Sequence, residues 1–271
     1  MNQKYIKIIN KAITDVIKKE KETAPPGYTN AEKRFFKENN LIKRASLLQL
    51  IVKECNLERE NEHIKILDVG PSEGIIPRAL HNMGFNVQVL EHAGLYGGDD
   101  LIEKYDQYYQ PLQVKYCVLE KGCFPYPDDS FDLVMNFGVM EHIEPPTCHF
   151  WNELNRITKR GGMIFTDNPN PLNLRKRINS VCGVNPNNEI EEWLNQQPIF
   201  TGHYREHTLE ELVYSAEQSG FSVLKTGGFN FILEGYLGNA NWLRKIFIYL
   251  YRLLLITDSL KDTVYIVGKK K

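Results

Sequence analysis

The sequence predicts an α/β domain on a mostly parallel sheet, preceded by a helical extension. From Ile64 onward, short apolar runs of strand length alternate with helical stretches, the pattern of βα units stacked into a parallel sheet. Before Ile64 the apolar residues recur instead at helical spacing. The composition agrees: 42% hydrophobic and 25% charged residues is ordinary for a globular chain, and 271 residues suffice to bury one sizeable core.

In the first predicted helix Tyr5, Ile8, Ile9, Ala12, Ile13, Val16 and Ile17 share a face, with lysines opposite. It stops at Thr23-Ala24-Pro25-Pro26-Gly27, because proline lacks the amide that would continue the ladder. A second helix carries Leu47, Leu48, Ile51, Val52 and Cys55 on one stripe and ends in the charged turn from Glu58 to His63. Residues 1–62 are therefore expected to form an N-terminal helical extension that can close as a lid, and residues 63–271 the main domain. Seven strands are expected: Lys65 to Val69, Asn86 to Leu90, Gln113 to Leu119, Phe131 to Asn136, Gly162 to Thr166, Ser222 to Thr226 and Thr263 to Val267. The most apolar stretch, Trp242 to Ile256, is interrupted by Arg244, Lys245 and Arg252 and is too short to span a bilayer comfortably. Packing in the core or in a dimer is expected there in preference to an interfacial, membrane-touching helix.

The formal net charge of -1 and pI near 6.7 argue against a dedicated nucleic-acid binder, which usually carries a basic excess. Five cysteines without paired spacing read as reduced thiols, not as a disulfide framework or zinc site. The lysine-studded N-terminus supplies no apolar signal-peptide core, so a cytoplasmic location is expected.

The strongest local motif is Ile66-Leu67-Asp68-Val69-Gly70-Pro71-Ser72-Glu73-Gly74, a strand running into a glycine-containing loop and then a helix. Such a turn lets the backbone approach a nucleotide-type ligand closely. About twenty residues on, Val87-Gln88-Val89-Leu90-Glu91 ends a second strand in an acid able to accept both hydroxyls of a ribose. To this point a nicotinamide cofactor fits equally well.

The stretch from Glu120 to His142 includes Phe124-Pro125-Tyr126-Pro127-Asp128-Asp129-Ser130-Phe131-Asp132 and Asn136-Phe137-Gly138-Val139-Met140-Glu141-His142. It resembles the middle of small-molecule, class I S-adenosylmethionine (SAM)-dependent methyltransferases. Two later segments extend the resemblance: Trp151 to Gly162 with the strand end Thr166-Asp167-Asn168-Pro169-Asn170, and His203 to Leu212, where Thr208 and Glu211 form a capping box. It covers roughly Ile64 to Lys269 and implies a three-layer, Rossmann-like, seven-stranded mostly parallel sheet with helices on both faces.

For the site, the resemblance implies a cofactor pocket of Asp68, Gly70, Pro71, Ser72, Gly74, Glu91 and His92. Glu120 becomes the adenine contact with Lys121 beside it, and Asn136 and Phe137 face the methionine end. Ser72 stands where the family usually has glycine and is a candidate contact for the methionine carboxylate. S-adenosylhomocysteine (SAH) is the implied product. Gly138 occupies the place of a glutamate that magnesium-using quinone O-methyltransferases carry, so no obligatory metal is expected.

Methyl transfer from a sulfonium needs alignment and, for a hydroxyl or protonated amine acceptor, a base. His142 is the first candidate and His203 the second, since imidazole titrates near neutral pH. A structural or positioning hydrogen bond is the alternative for either. Tyr28, Asn168, Asn170, Tyr204 and Arg205 are the expected acceptor contacts by analogy, and the acceptor is expected to be a sugar-derived, cell-surface glycan or related metabolite, methylated on oxygen by a monomer or homodimer. Two readings compete. A NAD-dependent oxidoreductase leaves the proline-serine-phenylalanine-aspartate turn unexplained, and a non-catalytic SAM- or nucleotide-binding module is disfavoured by intact Asp68, Gly70, Gly74 and Glu91. A nucleic-acid amino-methyltransferase should carry Asn/Asp-Pro-Pro-aromatic where Asn136-Phe137-Gly138 stands.

Overall fold

The computed structural model describes residues 3–20, 44–57, 63–71, 74–93, 99–186, 194, 202–230, 255 and 257–271. Tyr28, Ser72 and residues 242–254 and 256, on which expectations were placed above, lie outside the described residues.

Helix α1 (Gln3–Glu20) and helix α2 (44–54) lead into β1 (Lys65–Val69), α3 (Ile75–Asn82), β2 (Asn86–His92), α4 (Asp99–Tyr109) and β3 (Gln113–Cys117). There follow β4 (Phe131–Asn136), a single 3-10 turn (Met140–His142), α5 (Cys148–Ile157), β5 (Thr158–Pro169) and α6 (Leu174–Val181). Helix α7 (Leu209–Gln218), β6 (Phe221–Phe229), a second 3-10 turn (Asp258–Leu260) and β7 (Thr263–Lys270) follow among the described residues.

The seven strands form one sheet in the order β3-β2-β1-β4-β5-β7-β6. The first five run parallel, and β7 inserts antiparallel between β5 and β6. Strand side chains alternate between faces. Ile66, Val89, Leu133 and Met135 accordingly join one buried cluster, while Leu67, Val69, Leu90 and Val134 join another. The first is covered by α1, α2, α3 and α4, and the second by α5 and α7. Three layers result, as the sequence predicts. Ile9, Ile13 and Val16 of α1 and Leu48, Ile51 and Val52 of α2 are fully or almost fully buried in the first cluster, with α1 packed on α3. The N-terminal helices thus share the sheet's core.

Several strand boundaries move: β2 runs on to His92, β5 begins at Thr158, β6 spans Phe221–Phe229 and β7 runs on to Lys270. β3 ends at Cys117, not Leu119, because the Val118 carbonyl accepts from the Lys121 and Gly122 amides and turns the chain. β5 runs beyond Thr166 to Pro169 because β7 pairs with it there, Val264 against Asn168 and Thr263 against Pro169. Helix α7 starts at the expected capping box: the Thr208 hydroxyl accepts from the Glu211 amide at 3.2 Å, and the Glu211 carboxylate accepts from the Thr208 amide at 2.9 Å. The five cysteines are all thiols.

Candidate functional site

In a parallel sheet the carboxyl ends of the strands gather at one edge, and the strand order reverses here between β1 and β4. Asp68, Glu91, Asn136 and Asp167 all stand at or near strand ends on that edge.

The loop after β1 is fixed by its glycines. Gly70 (φ 65°) donates its amide to the Leu90 carbonyl at 2.8 Å, and a Cβ there would lie 2.7 Å from a Val139 methyl. Gly74 (φ 68°) opens α3 in the left-handed region, and a Cβ on it would lie 2.6 Å from the Tyr109 ring. That ring matters because the Tyr109 hydroxyl donates to Glu91 Oε2 at 3.0 Å, while Oε1 accepts from the His92 amide at 3.0 Å. The glycine loop and the acid at the end of β2 are therefore positioned by one aromatic ring.

Asp68 is buried, and among the described residues no donor reaches either of its carboxyl oxygens. Burial, then the nearby Glu91, pushes its carboxyl well above the ordinary range, opposed by Arg44 and aided by Asp167. Asn136 is likewise buried: its Nδ2 donates to Thr166 Oγ1 at 2.9 Å, leaving Oδ1 without a donor among the described residues. Buried polar atoms are nearly always hydrogen-bonded, so three such orphaned acceptor oxygens at one edge mark a place where donors belong to a ligand.

Glu120, just past β3, accepts from His92 Nε2 at 2.9 Å. Burial alone would raise its carboxyl, but the His92 hydrogen bond outweighs that and holds it below the usual range. Lys121 points elsewhere, pairing at the surface with Glu144 at 3.4 Å. Phe137 packs at a tilt against Phe165, with ring centroids 5.4 Å apart.

Beyond β4 a polar cluster forms. His142 Nδ1 donates to the Gly202 carbonyl at 3.0 Å, which places the imidazole lone pair on Nε2. His203 Nδ1 lies 3.1 Å from Glu206 Oε1, and the two histidine rings meet edge to face at 4.9 Å. Glu206 also pairs with the buried Lys176 of α6. Burial raises the Glu206 carboxyl, but His203 and Lys176 outweigh it and keep it low, hence ionised. Glu141 is different: burial pushes it well above the ordinary range, although Asn168 Nδ2 donates to its Oε2 at 3.1 Å. Glu141, His142 and His203 each offer a ligand atom, all within 4.8 Å of one another, so these three could together hold a metal ion. Asp167 accepts from the Gly138 amide at 2.7 Å, yet burial raises its carboxyl to about 7.

The expected acceptor contacts separate. Asn168 braces Glu141 on one side and accepts from the His207 amide at 2.6 Å on the other. The Asn170 amide donates to the Ser259 and Lys261 carbonyls, and its oxygen accepts from the Leu172 amide. Both side chains thus hold the chain where β5 leaves the sheet. Arg205 is exposed and pairs with Glu211 at 2.5 Å. Tyr204 stays near the site: its hydroxyl is raised by burial and then by Glu144 and Glu120, and its amide donates to the Glu141 carbonyl at 2.7 Å. Sequence reading missed Arg44, which acts electrostatically on both Asp68 and Asp167, and Tyr109, Asp167, Lys176 and Glu206. A separate open cleft of about 510 Å³, lined by Asp128, Asn152, Arg156, Arg160 and Lys270, lies where β4 and β5 begin, away from this edge. Its Arg156 and Lys270 are paired with Asp128 and Asp129.

Comparison with known proteins adds to this geometry. Residues 67–166 match the methyltransferase domain family. Among solved structures, a SAM-dependent methyltransferase from Thermotoga maritima superposes with a TM-score of 0.58 at 18% identity, over 89% of this chain and 96% of that one. One from Mesorhizobium loti gives 0.55 at 14% identity, over 84% and 98%. Another from Archaeoglobus fulgidus gives 0.54 at 18% identity, over 84% and 94%. At these identities the superpositions speak for the fold.

Proposed function

We propose that this chain, whose residues 67–166 match a methyltransferase domain family, is a class I SAM-dependent methyltransferase that methylates a hydroxyl of a small sugar-derived, cell-surface glycan or related metabolite. The single observation that supports a proton-bearing acceptor is the His142–His203 pair beside the cofactor edge, each ring fixed through Nδ1 by an acceptor; the choice of a hydroxyl over an amine follows the sequence resemblance.

The site suits the cofactor in its donor set. SAM brings an ammonium group, a ribose diol, an adenine amine and a positive sulfur, and the protein offers acceptors: Asp68, Glu91, Glu120 and the Asn136 oxygen. Asp68, Gly70, Pro71, Ser72 and Gly74 would hold the methionine side of the pocket, Glu91 the ribose, and His92 with Glu120 the adenine. Asn136 and Phe137 would line the methionine end. When bound, SAM supplies an electrophilic methyl group and departs as SAH.

The protein's own part is alignment and a proton. The Gly202 carbonyl holds the His142 ring so that its basic nitrogen is Nε2, the atom that takes the acceptor proton. Glu206, kept ionised by Lys176, orients His203 and stabilises it if it becomes charged. Glu141 and Asn168 anchor the backbone of this cluster, since the Glu141 carbonyl receives the Tyr204 amide. No step needs a metal, and EDTA is expected to leave the rate unchanged.

A NAD-dependent oxidoreductase is disfavoured, because a dinucleotide-binding sheet continues in parallel where β7 here runs antiparallel. The test is transfer of isotopically labelled methyl from SAM to a panel of sugar-derived hydroxyl acceptors and matched amines. Transfer to hydroxyls, with kcat lowered roughly 10²-fold or more in His142→Ala, is expected. Transfer to amines alone, or full kcat in the His142→Ala, His203→Ala double variant, would overturn the reading.

A further inference from the structure

Helix α6 begins where β5 leaves the sheet, capped by Asn173, whose side chain accepts from the Lys176 amide at 3.0 Å. Its inner side is settled: Asn173 and Lys176 are buried, and Lys176 reaches Glu206 and through it His203. Its outer side is unusual. Ile178 is 49% exposed, Val181 89% and Val184 54%, with Leu172 at 43% just before the helix. Arg175 and Arg177 stand exposed among them. Residues 168–188 contain three cations and no acid, in a chain whose net charge is -1.

The buried centre of a protein-binding patch is rich in aromatic residues and methionine, and this face has neither, only aliphatic side chains around its two exposed arginines. Exposed aliphatics interleaved with arginine and lysine, with no acid to repel, are complementary instead to an anionic lipid surface. A helix of two turns binds such a surface marginally by itself, and stable association takes a second signal. Here the second signal is electrostatic, Arg175 and Arg177 beside the aliphatic face with no acid among residues 168–188.

We propose that the outer face of α6 and the turn after it dock on an anionic bilayer, with Ile178, Val181 and Val184 entering the headgroup boundary and Arg175 and Arg177 meeting acidic headgroups. Docking there sets the histidine pair one ion pair, Lys176 with Glu206, behind the lipid surface. The proposal stands apart from the identity of the acceptor.

The experiment is co-sedimentation of the full chain with vesicles of pure phosphatidylcholine and of an equimolar mixture with phosphatidylglycerol. Two variants accompany it, Arg175→Glu with Arg177→Glu, and Val181→Asp with Val184→Asp. All four positions are exposed, and circular dichroism together with SAH titration checks that each variant keeps its fold. Binding to the anionic vesicles only, falling roughly tenfold or more in both variants and weakening with salt, is expected. Absence of binding to anionic vesicles, or binding that neither variant diminishes, would overturn the proposal.

Discussion

Replacing Gly74 by alanine should damage the cofactor pocket at a second point as well, the ribose acid Glu91, by way of the Tyr109 ring. The left-handed backbone at φ 68° costs an alanine about 1–2 kcal/mol. The new Cβ would also sit 2.6 Å from the Tyr109 ring, where about 3.5 Å is comfortable, so the ring must retreat by about 1 Å. A retreat of that size stretches the 3.0 Å bond from the Tyr109 hydroxyl to Glu91 beyond useful range, at about 1.5–3 kcal/mol for a bond to a charged group. Together the losses reach about 2.5–5 kcal/mol of stability, and Glu91, the proposed ribose acid, loses its orientation. Tyr109→Phe separates the parts, since it keeps the ring and removes only the hydrogen bond. Guanidinium denaturation and calorimetric titration with SAH would measure both effects. We expect Tyr109→Phe to cost about 1.5–3 kcal/mol and roughly tenfold in SAH affinity, and Gly74→Ala to cost more on both counts. Wild-type SAH affinity in Tyr109→Phe, or Gly74→Ala within about 0.5 kcal/mol of wild type, would refute the coupling.

Three further outcomes are expected. With Asp167 raised to about 7, the ligand-free native state holds a proton that the unfolded chain releases near 4, so this group's contribution to stability is full below pH 4, falls between pH 4 and 7 and is lost above. The gap amounts to about 4 kcal/mol, and denaturant titrations of Asp167→Asn should lack that slope; parallel pH profiles for variant and wild type would argue otherwise. Asp68→Ala removes two buried oxygens that lack donors among the described residues, so the ligand-free protein should melt no lower than wild type while losing the upward shift SAH confers. Lys176→Met leaves Glu206 buried without its cation and should cost about 3–5 kcal/mol, part of which Glu206→Gln in the same chain restores; an unchanged midpoint would show the ion pair to be dispensable.

The sheet was readable because its signal is local. Lys65–Val69 and Phe131–Asn136 are bounded by a charged turn, glycine or a polar loop, and fall where their apolar runs do. The shortened β3 depends on a carbonyl at Val118 turning back on itself, and the lengthened β5 on a partner strand almost a hundred residues later. The site divides the same way. Asp68, Gly70, Gly74 and Glu91 announce themselves because a βα turn followed by a strand-end acid is a contiguous pattern, whereas Arg44 reaches the same acids from a helix whose sequence reads only as amphipathic. Lys176 and Glu206 meet across thirty residues with no pattern to join them. Asn168 and Asn170 look like acceptor contacts in sequence, whereas in the fold their amides are engaged as braces for Glu141 and for the turn at Ser259 to Lys261.

The most direct test of the central claim is calorimetric titration of the purified protein with SAH, repeated with NAD as competitor and with the Asp68→Ala, Glu91→Ala double variant. The account predicts binding with a Kd on the order of micromolar that NAD does not displace and the double variant loses. Absence of SAH binding by the folded wild-type chain, or displacement by NAD, would contradict it.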